Sequence, residues 1–527
     1  MAPRTWRADL IAGITVGVVA LPLALGFGIA SGAGAEAGLI TAIVAGVAAA
    51  VLGGSNVQVS GPTGAMVVVL APIVAAHGVA AVAVVSIAAG LFVVIAGLLK
   101  LGRLVALVPW PVIEGFTVGI AVIIFLQQVP SALSTEPQVG ANALIAAGES
   151  VRAAEWPGAL LPAGIVVFVA AMMWIGERID RRVPGSLVAV VAVTVLAAVA
   201  HLPLPTIGAL PALLSRVSLP SMDLGTAGSL LGPALAVAAL AAIESLLSAR
   251  VASGLADTGR FDPDRELIGQ GFASVASGFM GGIPATGAIA RTAVNVRSGA
   301  RTRVASIVHA LVLLLTVLAL APLVSQIPLA ALAGVLMFTA ARMISWATVR
   351  SVVRSSRGSA AAFVVTAVVT ISFDLITAVA IGVAMTALWA LHGLAATAGV
   401  HREEIAGPPQ PGDERIEILR LDGALFFASA ERVLERVRTT AATVVILRLS
   451  QIETLDSTGA RTLAELITTL ERRSITVLIK GLRPDHATLA DRAGIIDSVR
   501  GEQRVFTDLD EAVSRARLLV QSETAAG

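Results

Sequence analysis

Two stretches of sequence decide the fold: residues 59–68, VSGPTGAMVV, and residues 281–292, GGIPATGAIART. Each places a proline, a threonine, a glycine and an alanine at the start of an apolar run, and more than two hundred residues separate them. Proline and glycine interrupt helices, and an interrupted helix inside a membrane leaves backbone groups that need partners. The repeated phrase therefore indicates a paired structural feature in an otherwise apolar chain.

The composition is that of a polytopic membrane protein. Of the 527 residues, 56% are hydrophobic and 14% are charged, whereas a soluble domain has about 25% charged residues. The first apolar run follows Arg4 and Arg7 directly, lacks a small-residue cleavage site and is followed by others, so we interpret it as a retained span. The absence of cysteine excludes disulfides and thiolate chemistry, and the six histidines have no ligand-like spacing. We therefore expect no enzyme activity, no metal, no cofactor and no nucleic-acid partner.

Apolar runs long enough to cross a bilayer, about 20 residues, recur through the first part of the chain. Two of them, the third and the tenth, are short and begin at the repeated phrase. The sequence predicts fourteen membrane segments, at about 9–31, 36–54, 62–76, 78–99, 104–128, 158–176, 184–200, 229–250, 266–281, 287–298, 304–321, 329–344, 359–373 and 375–396.

The positions of arginine and lysine test this segment count, because positive charge accumulates in cytoplasmic loops. If the N-terminus is cytoplasmic, the outside loops carry only Arg152 and Arg216, and Arg291 falls in neither set. The predicted inside segments carry Arg4, Arg7, Lys100, Arg103, Arg178, Arg181, Arg182, Arg250, Arg260, Arg265, Arg297, Arg301, Arg303, Arg342, Arg350, Arg354 and Arg357. This asymmetry supports fourteen spans with both termini in the cytoplasm.

The composition changes after the last apolar run. We expect a transmembrane domain over residues 1–397, followed by a polar, proline-rich linker over residues 398–412. Residues 413–520 then alternate β-branched, strand-like runs with charged helical patterns, which predicts a small soluble α/β domain. Residues 521–527 are expected to form a flexible tail.

Fourteen spans with matching phrases in the third and tenth predict two repeats of seven, over about residues 9–200 and 229–397. An odd number of spans per repeat forces the two repeats into opposite orientation, as in many secondary transporters, where paired broken helices mark the substrate site. Two helix N-termini that meet in the membrane present unpaired N–H groups and positive dipole ends, which attract an anion. Thr63 and Thr286 can add hydroxyl groups, and Gly64 and Gly287 allow close approach to the backbone. The alternative is that these small residues only kink and pack helices.

Two intramembrane charges sharpen this hypothesis. Arg291 follows the second phrase by about one turn, and a buried arginine is costly and usually functional. Its predicted role is a fixed positive charge beside the anion. Glu244 lies in the eighth span with Ser248 one turn further on the same face, where a carboxylate can take up a proton or help to bind a cation. The alternative is a Glu244–Arg291 ion pair that only holds helices together.

Five motifs together resemble the SulP family of sulfate-permease-type anion transporters: ALPLALGFGIASG, LGGSNVQVSGPTGA, LVPWPVIEGFTVGIAVIIFLQQ, GGIPATGAIARTAVN and ETLDSTGARTL. The last of them resembles the STAS domain, the cytoplasmic module of these transporters. The resemblance implies a 7+7 inverted repeat divided into core and gate domains, commonly a homodimer, and transport by elevator-like movement of the core.

The resemblance also implies site residues. An apolar wall near Phe27, a coupling carboxylate at Glu244 and a polar neighbour at Ser248 match family positions. The sequence departs from the family at Leu23, which follows the first-span proline where many relatives have a polar residue. Serines are also frequent in relatives where this chain has Ala288 and Ala290. The matching anion-site positions are Gly61, Pro62, Thr63, Gly64, Ala65, Thr286, Gly287, Ala288, Ile289, Ala290 and Arg291.

In the C-terminal domain, LDSTG at residues 455–459 matches the STAS turn where soluble relatives carry a phosphorylatable serine. Ser457 and Thr458 are the matching regulatory candidates. The simpler interpretation is that they cap the following helix.

The sequence therefore predicts a secondary active transporter of a small anion in the cell membrane, with the STAS domain in the cytoplasm and available to a partner there. Sulfate, bicarbonate and dicarboxylates such as fumarate all remain open as substrates. H⁺ is favoured over Na⁺ as the coupling ion. The alternatives are a passive anion channel or exchanger, a nucleobase transporter, which has no need of Arg291, and a membrane signalling protein.

Overall fold

The structure is a computed structural model that describes residues 5–103, 109–135, 142–179, 184–208, 228–255, 259, 261–372, 375–426, 440–499 and 504–526. The chain divides into two compact units, Met1–Val383 and Ala384–Gly527. The predicted segment at 104–128 and the first helical pattern of the predicted α/β domain lie partly outside the described residues. Arg216 lies wholly outside them.

The first half of the membrane unit is helical apart from one short strand. The helices α2 and α3 are joined by a π-helical turn, Thr41–Ala45, so that they form one span. The described elements are α1 Trp6–Ala30, α2 Ala35–Ile40, α3 Gly46–Leu52, β1 Ser60–Gly61, α4 Gly64–His77, α5 Ala80–Leu98, α6 Trp110–Gln127, α7 Val129–Leu133, α8 Ala143–Ala153, α9 Leu160–Ile179 and α10 Gly185–Val199.

The second half repeats this order. Its described elements are α11 Leu231–Leu255, α12 Pro263–Phe279, β2 Thr286–Gly287, α13 Ile289–Arg297, α14 Arg303–Val324, α15 Leu329–Met343, α16 Trp346–Ser355, α17 Arg357–Ser372 and α18 Leu375–Thr397. Local sequence explains where two of these helices begin: Asp262 caps α12 by accepting from the N–H groups of Asp264 and Arg265, and Thr302 caps α14 through the Val304 N–H.

The helices confirm a multi-pass membrane protein. Among the described residues, eight helical spans are long and apolar enough to cross a membrane, and the apolar helices 64–77, 185–199, 357–372 and 380–395 are shorter. Of the two helices that begin at the repeated phrases, α4 is one of these shorter helices, and α13 is shorter still, with nine residues. Short helices are expected where a helix starts inside the membrane.

Helix packing follows the order expected for an inverted repeat. The helix α1 packs on α14, and their counterparts α11 and α5 pack on each other. In the same way α6 packs on α17, and the corresponding pair α15 and α9 is also in contact. Each contact between a helix of the first half and a helix of the second is thus matched by a contact between their two counterparts. This symmetry is consistent with the predicted 7+7 arrangement.

The second unit is an α/β domain built on a five-stranded sheet in the order β3-β4-β5-β6-β7. The strand β3 is antiparallel to β4, and the other pairs are parallel. Helices α19 and α20 pack on one face of the sheet and α21 on the other, each over a separate apolar core. The elements are β3 Gly399–Glu403, β4 Ile416–Leu425, β5 Val444–Leu455, α19 Ser457–Arg472, β6 Thr476–Lys480, α20 Pro484–Arg492, β7 Val505–Phe506 and α21 Leu509–Ala526.

Two boundaries of this unit differ from the sequence prediction. The predicted linker contains strand β3, which is fixed to the sheet by Glu403: its carboxylate accepts from Arg420 at 2.9 Å and from Arg448 at 2.8 Å. Desolvation raises the pKa of Glu403, but the hydrogen bonds from Arg448 and Arg420 outweigh it, so that the pKa lies below its usual value. The predicted flexible tail is helical as far as Ala526, because α21 continues through it.

Candidate anion-binding site

The two repeated phrases meet at a pair of short antiparallel strands. Ser60 lies opposite Gly287 and Gly61 opposite Thr286, so that β1 and β2 join the two halves of the membrane unit. The helix α4 begins three residues after β1 and α13 begins two residues after β2. Each phrase thus forms a short extended segment that leads into a half-helix, and the two helix N-termini come together as predicted.

The prolines of the two phrases do not start the helices. Pro62 precedes Thr63, which is the N-cap of α4, and Pro284 lies before β2. The N-cap of α13 is Ala288. In both phrases the proline instead stands next to the paired strand, where it limits the chain to extended conformations.

The segment that leads into β1 has its backbone hydrogen-bonding groups satisfied by residues of the second half. This satisfies the requirement that irregular backbone at membrane depth be buried in protein with its polar groups paired. The partners are Asn295 Nδ2 to the Val57 carbonyl at 2.8 Å, Ser306 Oγ to the Gln58 carbonyl at 2.7 Å, the Val59 N–H to Thr292 Oγ1 at 3.0 Å, and the Ala288 N–H to the Val59 carbonyl at 2.8 Å.

Neither half-helix has a side-chain cap. Threonine is a frequent N-cap residue, but the Thr63 hydroxyl donates to Glu244 Oε2 at 2.8 Å and makes no capping bond. Ala288 has no side-chain oxygen with which to cap α13. In the described part of the chain, no N-cap side chain therefore satisfies the N–H groups of either first turn. Such uncapped N–H groups are the donors that bind an anion at a helix start.

Glu244 and two threonines form a compact group of three oxygens. Besides the bond from Thr63, Glu244 Oε2 lies 2.9 Å from the Thr286 hydroxyl, and the two hydroxyl oxygens lie 3.0 Å apart. Thr63 and Thr286 are 4% and 0% exposed, and Glu244 on α11 is partly buried. The structure thus brings the predicted coupling carboxylate into contact with one predicted site residue from each half.

Arg291 lies beside the strand pair and is 2% exposed. Its Nη2 donates to the Pro62 carbonyl, and its Nη1 has no hydrogen-bond partner among the described residues. A side chain at Gly61 would place its Cβ 2.9 Å from Nη1, so the guanidinium reaches Pro62 across a glycine. The alternative of a direct Glu244–Arg291 ion pair is wrong for the described part of the chain, where Arg291 bonds to the backbone instead.

Phe27 and Ile124 form an apolar wall at the start of α4. A Cβ on Gly64 would lie 2.1 Å from Ile124 Cδ1 and 3.4 Å from the Phe27 ring. Phe27 is 7% exposed and Ala65 is 2% exposed. On α13, Ile289 is partly buried and Ala290 is exposed. The predicted site residues therefore cluster around one place, with an apolar side at α4.

Ser248, the predicted polar neighbour of Glu244, bonds to α13. It is fully buried and donates to Thr292 Oγ1 at 3.1 Å, so it links α11 to α13 and makes no hydrogen bond to Glu244. Its neighbour Ser245 contacts the strand pair directly: Ser245 Oγ accepts from the Gly287 N–H at 3.0 Å, and its carbonyl accepts from Gln58 Nε2 at 3.2 Å.

The sequence interpretation missed several polar residues that hold this site. Ser245, Thr292 and Asn295 are buried, and each bonds to the strand segments. Gln58 is also buried, and its side chain ties the segment before β1 to the Ser245 carbonyl on α11. The available signal was polarity, because buried polar side chains in membrane helices are rare and paired.

The candidate regulatory residues lie in the second unit. Asp456 is the N-cap of α19 and accepts from the Gly459 N–H at 2.7 Å, so the interpretation of Ser457 or Thr458 as the cap is wrong. Both hydroxyl residues occupy the exposed first turn of the helix.

Fold and site together define a class. Two broken helices from the two halves of a membrane domain meet at a buried polar centre, and an α/β domain follows in the chain. Paired broken helices of this kind are typical of secondary transporters.

The comparisons with known proteins identify the family. Residues 6–368 match the model of the sulfate permease family, and residues 408–512 match the STAS domain. The chain is 34% identical over 524 residues to YvdB of Bacillus subtilis (strain 168), provisionally named a sulfate transporter, with 96% of this chain and 97% of YvdB covered. It is 32% identical to the bicarbonate transporter BicA of a Synechocystis species, with 98% of this chain and 95% of BicA covered. The chain belongs to the sulfate permease family of anion transporters.

Solved structures agree with this assignment. The transmembrane domain of a cyanobacterial bicarbonate transporter, BicA, matches 72% of this chain and 98% of its own, with a TM-score of 0.65 and 34% identity. The murine anion transporter Slc26a9 matches 99% of this chain and 92% of its own, with a TM-score of 0.83. At 16% identity the second likeness shows the fold alone.

Proposed function

We propose that this protein is a secondary active transporter that carries a small oxyanion into the cell together with a proton bound at Glu244. The observation that carries the proposal is the contact of Glu244 with Thr63 and Thr286 at the paired strands. The anion binds at the uncapped N-termini of α4 and α13, with Arg291 as the fixed positive charge nearby. Transport of the anion is coupled to transport of the proton because both bind at the same place in the protein.

Counting protons supports a protonated carboxyl group. The three oxygens of Thr63, Thr286 and Glu244 make three mutual contacts of 2.8, 3.0 and 2.9 Å. Each such contact is a hydrogen bond only if a proton lies between the oxygens. The two hydroxyls supply two protons, and a proton on Glu244 supplies the third. An ionised Glu244 leaves one contact as a repulsion between lone pairs.

The same proton removes a charge conflict. An ionised carboxylate beside the helix N-termini would repel an incoming anion, and repulsion is strong where water is excluded. A neutral Glu244 leaves the helix dipoles and Arg291 as the dominant field, and that field is positive. Proton binding and anion binding therefore favour each other, which is the thermodynamic content of symport.

The substrate class follows from the site and the relatives. Backbone N–H groups and one guanidinium suit a small oxyanion, and the names of YvdB and BicA point to sulfate and bicarbonate. We propose one of these two as substrate. We further propose elevator-like movement of the core in a homodimer located in the cell membrane, with both termini in the cytoplasm.

A sodium-coupled mechanism is the second candidate, because the same three oxygens can coordinate a cation. Carboxylate and hydroxyl oxygens are suitable hard ligands, and Na⁺ between them would replace the missing proton. The separations of 2.8 to 3.0 Å are those of direct hydrogen bonds. This favours the proton.

Uptake into proteoliposomes tests the proposal. Labelled sulfate and bicarbonate are offered in turn, with an imposed pH gradient, an imposed Na⁺ gradient or neither. We expect accumulation driven by the pH gradient. Accumulation driven by Na⁺ alone would assign the coupling ion to sodium, and equal rates with and without gradients would indicate a passive pathway.

The variant Glu244→Gln tests the role of the Glu244 proton in coupling. The amide keeps the shape and supplies its own protons, so it resembles a permanently protonated carboxyl group. We expect anion uptake that no longer responds to the pH gradient, while exchange of internal for external anion continues. Unchanged gradient dependence in Glu244→Gln would exclude Glu244 from coupling.

A further inference from the structure

A second buried carboxylate lies close to the strand pair and takes no part in the proposed coupling. Glu266 is on the first turn of α12 and is 1% exposed. Burying a carboxylate in a membrane domain is costly unless both of its oxygens are well hydrogen-bonded. The hydrogen-bond partners of Glu266 indicate why a carboxylate is buried here.

Glu266 accepts hydrogen bonds from the chain segment that leads into β1. Its Oε2 accepts from the N–H groups of Gly54 at 2.7 Å and Ser55 at 2.9 Å. Its Oε1 accepts from Gln270 Nε2 at 2.8 Å, one turn further along α12. Both carboxylate oxygens are therefore used, and one of them holds the beginning of the extended segment.

Gln270 carries the connection to the site. Its Nε2, which has two N–H bonds, donates also to Ser60 Oγ at 2.5 Å. Ser60 is the first residue of β1 and lies opposite Gly287 in the strand pair. The helix α12 thus fixes residues 54–55 through Glu266 and residue 60 through Gln270, and these residues bracket the segment that feeds the site.

Glycines allow this close contact. A Cβ on Gly269 of α12 would lie 2.5 Å from the Gly53 Cα, and one on Gly54 would lie 2.0 Å from the Asp262 carbonyl oxygen. Because the neighbours here are backbone atoms, no rotamer change could relieve the overlap. The backbone of residues 53–54 is therefore seated directly on α12, independently of the hydrogen bonds.

We propose that Glu266 and Gln270 are positioning residues: they hold β1 at the depth and register at which the start of α4 binds the anion. The inference rests on the proposed anion site at the paired strands. Their effect is transmitted through Ser60, so it falls on the affinity for the anion. It does not fall on the proton, which binds one helix away at Glu244.

The test compares Ser60→Ala, Gln270→Met and the double variant with the wild type. Methionine keeps the length and volume of glutamine and removes its amide donors. We expect the KM for uptake, and the Kd for the same anion measured by titration of the full-length protein in detergent, to rise about threefold to tenfold, the factor for one hydrogen bond. The maximal rate should stay within about twofold. Both substitutions remove the Gln270–Ser60 bond, and Gln270→Met also removes the bond to Glu266. The double variant should therefore be no worse than Gln270→Met alone.

Ser150→Ala is the matched control, since Ser150 is a buried serine whose hydroxyl donates within its own helix, to the Ala146 carbonyl at 2.8 Å. It should leave KM and Kd unchanged. Wild-type KM and Kd in Gln270→Met would overturn the inference, as would additive effects in the double variant. A wild type that binds the anion but follows neither gradient would refute the proposed coupling, and the Kd comparison would still decide on the positioning role.

Discussion

The two halves of the membrane unit use the same phrase in different ways. In the first half, the phrase supplies backbone groups: the Val59 N–H and the carbonyls of Val57 and Pro62 bond to side chains of the second half. Its one side chain in the three-oxygen group is that of Thr63. In the second half, helix α13 supplies side chains, with Arg291, Thr292 and Asn295 all buried and all bonded to that backbone. The inverted repeat thus duplicates the strand and half-helix geometry, and the buried arginine beside the strand pair comes from the second copy.

The halves also exchange buried carboxylates. Glu266 of the second half holds the N–H groups of Gly54 and Ser55 in the first. Asp9 of α1, which is 1% exposed, holds the second half in return: it accepts from the Arg301 N–H at 2.7 Å and from the Thr302 N–H at 3.0 Å. A carboxylate from the opposite repeat therefore fixes the chain that leads into α4 and the chain that follows α13. These bonds stiffen the unit that carries the site.

Arg291→Ala should have the largest effect, because it removes the chemistry that only the second half carries. The variant loses the positive charge and leaves the Pro62 carbonyl without its donor. Losing one member of a buried, charged hydrogen bond costs enough to lower affinity by about a hundredfold or more. We therefore expect uptake of the transported anion to fall to background in proteoliposomes.

Arg291→Lys separates charge from shape. Lysine keeps the charge but lacks the planar fork of donors, so partial uptake is expected, with a raised KM. Wild-type uptake by Arg291→Ala would show that the asymmetry between the halves has no role in binding the anion.

Gly287→Ala and Gly64→Ala compare the two halves at matched glycines. A Cβ on Gly287 would lie 1.6 Å from Gln58 Nε2, and this amide is held by the Ser245 carbonyl. A Cβ on Gly64 meets the end of the Ile124 side chain at 2.1 Å, which can rotate away. Overpacking against a fixed group costs about 1 to 3 kcal/mol, so we expect Gly287→Ala to lower uptake about tenfold and Gly64→Ala less. Equal losses in the proteoliposome assay would contradict the ranking.

Sequence alone predicted that the two repeated phrases belong together, and they pair in the structure. The repeated phrase, the short third and tenth segments and the isolated Arg291 are all local signals, and the two strands pair where they indicate. The contact of Thr63 and Thr286 with Glu244 joins predicted residues that lie 181 and 42 positions from Glu244 in the chain. Broken helices can be predicted because proline and glycine act on their own neighbours.

The supporting residues were harder to predict, because their role depends on contacts between distant segments. Gln270 and Ser60 are 210 positions apart, and nothing in either neighbourhood indicates that they meet. The use of the Thr63 hydroxyl by Glu244 in place of a cap is of the same kind. Strand β3 was missed because the surrounding proline and glycine residues are typical of a linker, whereas the ion pairs of Glu403 that fix it come from β4 and β5.

Thr63→Val and Thr286→Val test whether the two halves contribute equally to the three-oxygen group, to which each half supplies one threonine. Each variant removes one hydroxyl from the three-oxygen group and keeps the shape of the side chain. We expect both to raise the KM about threefold to tenfold, as for one lost hydrogen bond, and by similar factors. A tenfold difference between the two variants, measured as initial uptake rates over a range of anion concentrations, would show that this part of the site is also asymmetric.

Glu403→Gln should have the smallest effect on transport, because it changes neither half of the membrane unit. The carboxylate bridges Arg420 and Arg448 at 2.9 and 2.8 Å, and its loss should weaken strand β3 by about 1 kcal/mol, as for a partly exposed ion pair. The pKa of Glu403 is lowered in the folded protein, so its stabilising effect is present at neutral pH and is lost as the pH falls through that lowered value. Hydrogen exchange of the β3 amides should therefore be faster in Glu403→Gln than in wild type at neutral pH, and the difference should shrink in acid. The KM for the anion should stay unchanged, and a raised KM would mean that affinity is set outside the paired strands, which would break the comparison between the two halves.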